Sequence, residues 1–336
     1  MEHKKATVYD IAKAAGVSVA TVSRVLNHKD QVSSLTFQKV HSAIKNLGFV
    51  QKNDRDNGTA LKEKGVSRLL LLNISSMANP FYSEIVRGAK AAANKNGYHL
   101  LIDCEPLTAL NVDSLINLIN DIKISGIIVT DTISNELLST LQDLIPVVQC
   151  SEFNPDALTS YVSINNYAAA KKAVEYILSN NRKRIVLFST SLRHFYAQKR
   201  REGYWDALKG ADIIPRDDWS IYVPEIDFEL AYQAAKLLFS QSPVPDAIFA
   251  VSDVLASAAI KAIHELHLDV PKDVLVVGFD NIDISITTSP TITTVSQPRF
   301  QLGYQSIELL LEQLKETNCS LRQTILNTEL IIRESS

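Results

Sequence analysis

The order of apolar and polar positions changes character near residue 67. Before it, small or apolar residues fall at Val8, Ile11, Ala12, Ala15, Val17, Val22 and Val25, the spacing of two short amphipathic helices with Gly16 between them. Two helices crossing over a tight turn account for this: Ala12 stays small where the second helix packs across it, and Gly16 supplies a positive φ. Ser18 then stands at the N-cap of a helix reaching about Asn27, and a third amphipathic stretch, residues 34–47, stops at Gly48. After Ser67 come short apolar runs: RLLLLNIS, YHLLIDC, GIIVT, PVVQC, YVSIN, RIVLFS, AIFAVS and VLVVGF. Helical stretches such as residues 81–95 and 168–179 separate them. Runs of this length alternating with helices predict parallel strands covered on both faces. The fold class is therefore α/β, a three-helix head followed by two parallel sheets at about 68–163 and 164–290, with a segment from about 293 that returns to tie them together. In such a body ligands lie beyond the carboxyl ends of the strands, and two facing lobes form a cleft there.

Composition narrows the function classes. The chain has 336 residues, 46% hydrophobic and 21% charged, enough for two or three ordinary domains. It contains no uncharged apolar run long enough to span a membrane and opens on MEHKKATVYD without an apolar leader, so neither secretion nor membrane insertion is expected. Cys104, Cys150 and Cys319 are odd in number and irregularly spaced, which argues against a disulfide framework or a cysteine zinc site and fits a reducing cytoplasm. GxGxxG and GxxxxGK[ST] are both missing, and no cofactor is expected. The net charge of −3 conceals an asymmetry: residues 1–52 hold eight Lys and Arg against three acids, a balance of +5, which leaves −8 on the rest. A basic head on an acidic body directs the head alone toward a polyanion.

The second helix of the head turns Val19, Ala20, Thr21, Ser23, Arg24 and Asn27 outward. Small and hydrogen-bonding groups on one face fit a major groove, with Arg24 placed for bidentate contact to guanine and the small residues for thymine methyls. Other motifs carry less. GVSVA at 16–20 approaches the GxSxG nucleophile elbow, but a helix precedes it and Ala20 replaces the final glycine. His264 and His267 in HELH are three apart where a zinc-binding HExxH needs four, and Asp217 with Asp218 reads as a solvated turn. No catalytic constellation is readable from spacing, so neither an enzyme nor a metal site is expected.

Residues 6–49, with DIAKAAGVSVATVSRVLN followed by VSSLTFQKVHSAIKNLGF, resemble the DNA-binding head of the lac and gal repressor family almost position for position. The resemblance continues through NPFYSEIVRGAKAAANKNGYHLLI, KRREGYWDAL, PDAIFAVSDVLASAAIKAIHELHLDVPKDVLVVGFDNIDIS and TITTVSQP, so it covers nearly the whole chain. It implies a helix-turn-helix head over 1–50, a hinge over 51–67 and a two-lobed, periplasmic-binding-protein-like body over 68–336. Lobe 1 would take about 68–163 plus 293–325, and lobe 2 about 164–290 plus 326–336. It also implies DNA contacts from Thr7, Tyr9, Ser18, Gln31, Thr36 and Leu61 beside the six outward residues of the second helix. Val19 and Ala20 resemble the pair found in gal repressors and imply a related half-site. No added tetramer-forming helix follows LIIRES, so the implied assembly is a homodimer on a roughly palindromic operator.

The hinge departs from this pattern. Relatives carry a Pro-Asn pair and then a short helix whose leucine wedges into the minor groove; here Gln51 and Lys52 replace the pair, and Gly58 occupies the ungapped wedge position. Asp54 and Asp56 face phosphates unfavourably, and Ala60 and Leu61 restore the wedge only with about three inserted residues. A hinge helix that is short or unformed even on DNA is therefore expected.

Strand ends supply the cleft candidates. Asn79, Phe81 and Tyr82 follow the first run, Thr130 and Asp131 the third, Ser151 the fourth and Asn165 the fifth. Gln198 and Arg200 open a helix, and Phe228 follows the segment around Tyr222. Ser252, Asp253 and Asp280 end later strands, and Gln297 lies on the return. Carboxylates and amides that bind hydroxyls, with aromatic faces that stack on a pyranose, fit a sugar or related small polar ligand. Carried over by position, Asp280, Asp253 and Phe228 rank first. Relatives hold an arginine five residues before the glycine of EGY, where this chain has Gln198, with Arg200 two residues later. They hold Asn-Asp where Ser252 and Asp253 stand, and Asp where Ser151 and Asn165 stand. Such changes point to an effector that is unusual, weakly bound or larger than a monosaccharide. The expected function is a cytoplasmic, ligand-responsive transcription regulator acting as a repressor. The alternative is a two-lobed small-molecule-binding protein or hydrolase whose head makes protein contacts.

Overall fold

The computed structural model describes residues 7–19, 21–22, 25, 36, 39–40, 42–43, 67–240, 243–315 and 320–336. They fall into two units, residues 1–64 and 65–336.

In the first unit, α1 (Val8–Ala15) begins with a reciprocal cap. The Thr7 hydroxyl accepts the Asp10 N–H, and the Asp10 carboxylate accepts the Thr7 N–H at 2.7 Å. The helix ends at Gly16, φ +65°, where an added Cβ would meet nothing within 4 Å. Glycine is needed there for left-handed backbone and not for space. Ser18 accepts the Thr21 N–H at 3.1 Å, the N-cap expected of it, and Val19, Thr21, Val22 and Val25 are helical. Ile11, Ala12, Val22, Val25, Val40 and Ala43 close a small buried core. Ala20, Ser23, Arg24, Asn27, Gln31 and Leu61, and with Leu61 the hinge through residue 66, lie outside the described residues.

The second unit holds two six-stranded sheets. The first half supplies β1 (Leu69–Asn73), α2 (Tyr82–Lys95), β2 (His99–Asp103), α3 (Val112–Ile122), β3 (Gly126–Val129), α4 (Asn135–Gln142), β4 (Val147–Cys150) and β5 (Ser160–Ile164). After a crossing come α5 (Asn166–Ser179), β6 (Ile185–Thr190), α6 (Phe195–Gly210), β7 (Ser220–Val223), α7 (Phe228–Phe239), β8 (Ala247–Ala250), α8 (Asp253–Glu265), β9 (Leu275–Asp280), α9 (Ile284–Thr287) and β10 (Thr293–Ser296). The chain returns through α10 (Arg299–Lys315) to β11 (Gln323–Leu326), then crosses again to β12 (Glu329–Ile331). The sheet orders are β11-β5-β4-β3-β1-β2 and β12-β10-β9-β8-β6-β7, parallel throughout except for β12 against β10. Strands β3, β4, β6, β8 and β9 are buried at every residue, which is why they read as unbroken apolar runs.

The return to lobe 1 comes later than the sequence reading places it. Residues 293–296 form β10 and pair with β9 in the second sheet, so the crossing follows Ser296 instead of residue 293. No apolar run marks this strand because its threonines are buried through hydrogen bonds: Thr294 Oγ1 donates to Asp253 at 2.5 Å, and Thr293 Oγ1 accepts the Arg333 N–H at 2.7 Å. β7, β11 and β12 also fall outside the eight runs, being short and only partly buried.

Helix α10 seats itself on lobe 1 by backbone contact with α2. A Cβ at Gly88 would lie 2.0 Å from the Phe300 carbonyl oxygen, and one at Gly303 would lie 2.0 Å from that of Ile85. Gly303→Ala is therefore expected to cost about 1–3 kcal/mol in urea unfolding followed by circular dichroism. Gly210→Ala, where the new methyl meets nothing within 4 Å, should be neutral or stabilising by up to about 1 kcal/mol. Equal effects at the two positions would refute the close helix contact.

Candidate functional site

The carboxyl ends of both sheets open on one cavity of about 210 Å³. Lobe 1 contributes the segment after β1 (Ser75, Ser76, Ala78, Asn79, Phe81, Tyr82), Pro106, the end of β3 (Thr130, Asp131) and the end of β4 (Ser151, Glu152). Lobe 2 contributes Thr190, Arg193, His194, Tyr196 and Arg200 around the start of α6, the loop Glu225–Asp227 before α7, and Asp280 and Gln297.

Its floor is a buried ionic network. The Arg200 guanidinium donates to the Val251 carbonyl at 2.6 Å and to Asn166 Oδ1 at 2.9 Å, and lies 3.7 Å from an Asp280 oxygen. It also stacks 3.5 Å from the centre of the Phe279 ring, and a 4.8 Å contact carries it over Tyr196. Burial pushes the Asp280 carboxyl up to about 6, opposed by Arg200 and by the Gln297 amide that donates to it at 2.7 Å. Asp280 has φ +110° and Ser151 φ +70°, left-handed values for side-chain-bearing residues at strand ends. Strain of this kind concentrates at binding sites. Above the floor, Tyr82 shares a 2.7 Å hydrogen bond with Ser75, Thr130 Oγ1 donates to the Asn73 carbonyl at 3.1 Å, and Asn79 accepts the Phe81 N–H at 3.0 Å.

Two contacts join the lobes across the cavity. Asp131 lies 3.4 Å from His194 Nδ1. Glu152 accepts the N–H groups of Phe195 and Tyr196, each at 2.9 Å, and the Thr132 hydroxyl at 2.6 Å. Burial, the largest influence, raises the Glu152 carboxyl to about 7 against these hydrogen bonds and the charge of His194.

Of the fourteen residues proposed from strand ends, the structure gathers Asn79, Phe81, Tyr82, Thr130, Asp131, Ser151, Arg200, Asp280 and Gln297 around this cavity. The other five lie elsewhere. Asp253 is fully buried behind the wall, accepting from Thr294 and from the Ile282 N–H at 2.9 Å, which secures β10 and the turn after β9. Ser252 caps α8 and Asn165 caps α5. Gln198 donates to the Leu192 carbonyl at 2.8 Å. Phe228 faces a separate groove, with the Lys261 ammonium 5.7 Å from its ring centre. Glu152, His194, Tyr196 and the Glu225–Asp227 loop were missed, although His194 and Tyr196 open the same helix as Arg200 and Asp227 immediately precedes Phe228. In the head, Thr7 and Ser18 spend their side chains on capping, while Tyr9 is 75% exposed. Among the described residues no group of three or more His, Cys, Asp or Glu could hold a metal ion, and no helix is long and apolar enough to cross a membrane.

Comparison with known proteins agrees with a helix-turn-helix head followed by a two-sheet body. Residues 7–52 match the family described as bacterial regulatory proteins, lacI family, and residues 174–336 match the periplasmic binding protein-like domain. The chain is 32% identical over 334 residues to the HTH-type transcriptional repressor CytR of Escherichia coli (strain K12), covering 98% of this chain and 96% of that protein. It is 30% identical over 335 residues to the HTH-type transcriptional repressor PurR of Histophilus somni (strain 129Pt), covering 98% of each. Among solved structures, the transcriptional regulator CelR–cellobiose complex superposes with a TM-score of 0.75 at 26% identity, over 98% of this chain and 100% of that one. A helix-turn-helix head and a two-lobed body that agree with these proteins along nearly their whole length place the chain in the lacI family of bacterial regulatory proteins.

Proposed function

We propose that this regulator is a cytoplasmic repressor that binds a pseudo-palindromic operator as a homodimer and responds to a small polar effector in the cleft. The observation that carries the reading is the cavity itself, where Asp280, Gln297 and Arg200, each no more than 5% exposed, meet the aromatic rings of Phe81, Tyr82 and Tyr196. Buried polar groups beside aromatic faces bind and orient a hydroxyl-bearing ligand. The repressors CytR and PurR among the relatives, and the cellobiose held by CelR, support the same reading. A cavity of about 210 Å³, below the roughly 300–1,000 Å³ usual for ligand pockets, supports an effector of about monosaccharide size and weighs against a larger one.

The head reads DNA through Val19, Ala20, Thr21, Ser23, Arg24 and Asn27, with Tyr9, Gln31 and Thr36 beside them and Thr7 and Ser18 holding the helix starts. An effector changes operator affinity only through its different affinities for two arrangements of the lobes. The contacts Asp131–His194 and Glu152–α6 cross the cavity, so they distinguish such arrangements.

Specific, salt-dependent operator binding in a gel shift is expected to weaken on Arg24→Ala by about 1–3 kcal/mol, roughly 5- to 150-fold, with relaxed preference at one base pair. Uniform loss on every sequence would remove Arg24 from base reading. Asp280→Ala should abolish the effector response while operator binding stays intact; full response at saturating effector would refute its role. Glu152 also predicts a pH dependence. Its folded carboxyl titrates at about 7 instead of near 4.5, so its contribution favours the folded state at low pH and is lost as pH rises through 7. The unfolding free energy of the wild type, relative to Glu152→Gln, should therefore fall by about 2–3 kcal/mol between about pH 5 and 8. A flat difference across that range would contradict the burial of the acid.

A further inference from the structure

Glu152 stands immediately after β4 in lobe 1, yet its carboxylate accepts the first two N–H groups of α6, a sixteen-residue helix of lobe 2. The amino end of a helix presents unpaired N–H donors and the positive end of the helix dipole, and a helix end directed into a cleft is where a phosphate or carboxylate of a ligand docks. Here a side chain of the protein fills that position with two bonds of 2.9 Å, and the Thr132 hydroxyl holds it there at 2.6 Å. It fills the position whether or not it carries its proton.

The rest of the lining agrees. Asp131, Glu225, Asp227 and Asp280 bring carboxylates to the cavity, while the fixed positive charges are Arg193 and Arg200. Arg200 is committed to Val251, Asn166 and Asp280, and Arg193 is exposed. Gln297 gives an independent sign of the ligand's chemistry. It lines the cavity at 5% exposure, its amide nitrogen donates to Asp280, and its Oε1 is buried without a hydrogen-bond partner. A buried carbonyl oxygen left without a donor is costly, and a ligand hydroxyl or N–H would satisfy it. A phosphate would bring further negative charge to a lining in which Asp131, Glu152, Glu225, Asp227 and Asp280 already outnumber the two arginines.

We propose that Glu152 sets the effector class: by occupying the amino end of α6 it excludes phosphorylated and carboxylate ligands, and it leaves the cleft to an uncharged, donor-bearing molecule received by Gln297 and Asp280. This rests on the reading of the cavity as the effector site. The test uses the full-length wild type, Glu152→Ala and Glu152→Gln, with inorganic phosphate as probe at fixed ionic strength, followed by calorimetry and thermal shift. Phosphate contacts made by the basic head are common to all three proteins and cancel in the comparison. Glu152→Ala frees both N–H groups and the Thr132 hydroxyl, and should bind phosphate about tenfold more tightly than the wild type, with Glu152→Gln, which still fills the position, close to wild type. The proposal is overturned if the wild type binds phosphate as tightly as Glu152→Ala. It is equally overturned if Glu152→Gln, folded by circular dichroism, binds as tightly as Glu152→Ala. A gel shift of the same proteins on operator DNA tests the regulator reading separately, because operator binding does not depend on which ligands the cleft accepts.

Discussion

Neither sheet of the body is completed by its own half of the chain. β11 joins the first sheet beside β5, and β12 joins the second beside β10, after the chain has already crossed twice between them. This shared closure forces the crossings to lie side by side, so that the carboxyl ends of both parallel sheets face the same space. The cavity, its lining and its buried charges follow from that constraint. The last residues take part as well: Ser335 is fully buried, donates its hydroxyl to the Val276 carbonyl at 2.6 Å and accepts the Thr293 N–H at 2.9 Å. α10 carries the return crossing, and the backbone contact of Gly303 with α2 seats it on lobe 1.

Electrostatics divide the protein between its tasks. The head has an excess of positive charge and the body an excess of negative charge, which suits a reader of DNA joined to a sensor that DNA repels. Inside the body the charges are held by burial and by one another. Arg200, Asp280 and Gln297 form a floor in which each polar group is positioned by the next, apart from the Gln297 amide oxygen, which is buried without a partner. Asp131 and Glu152 use the same chemistry to connect the lobes. A ligand between the lobes would be coupled to their arrangement, because groups that line the cavity also hold the lobes together.

Much of this was legible in the residues. The turn at Gly16, the cap at Ser18 and the core of Ile11, Ala12, Val22 and Val25 are local patterns, and so are the eight apolar runs. Nine of the fourteen strand-end candidates reach the cavity because a strand's carboxyl end in a parallel sheet has only one direction to point. Three of the exceptions also have local reasons: Ser252 and Asn165 cap their own helices, and Gln198 turns back to Leu192, whereas Asp253 is engaged by Thr294 and Ile282 and Phe228 lines a separate groove beside Lys261. β10 escaped notice because buried threonines satisfied by distant partners leave no apolar run.

Taken by itself, the sequence determined the two rhythms, the basic head, the parallel strands and the position of the cleft at their ends, since each depends on residues close to one another along the chain. Tertiary structure alone decided what the cleft contains. Glu152 meets Phe195 and Tyr196 across more than forty positions, Asp253 meets Thr294 across forty-one, and Gln297 reaches Asp280 with one oxygen left over. Those encounters are set by the packing of two lobes around three crossings, and no spacing within a single element specifies which buried group will find a partner and which will be left without one.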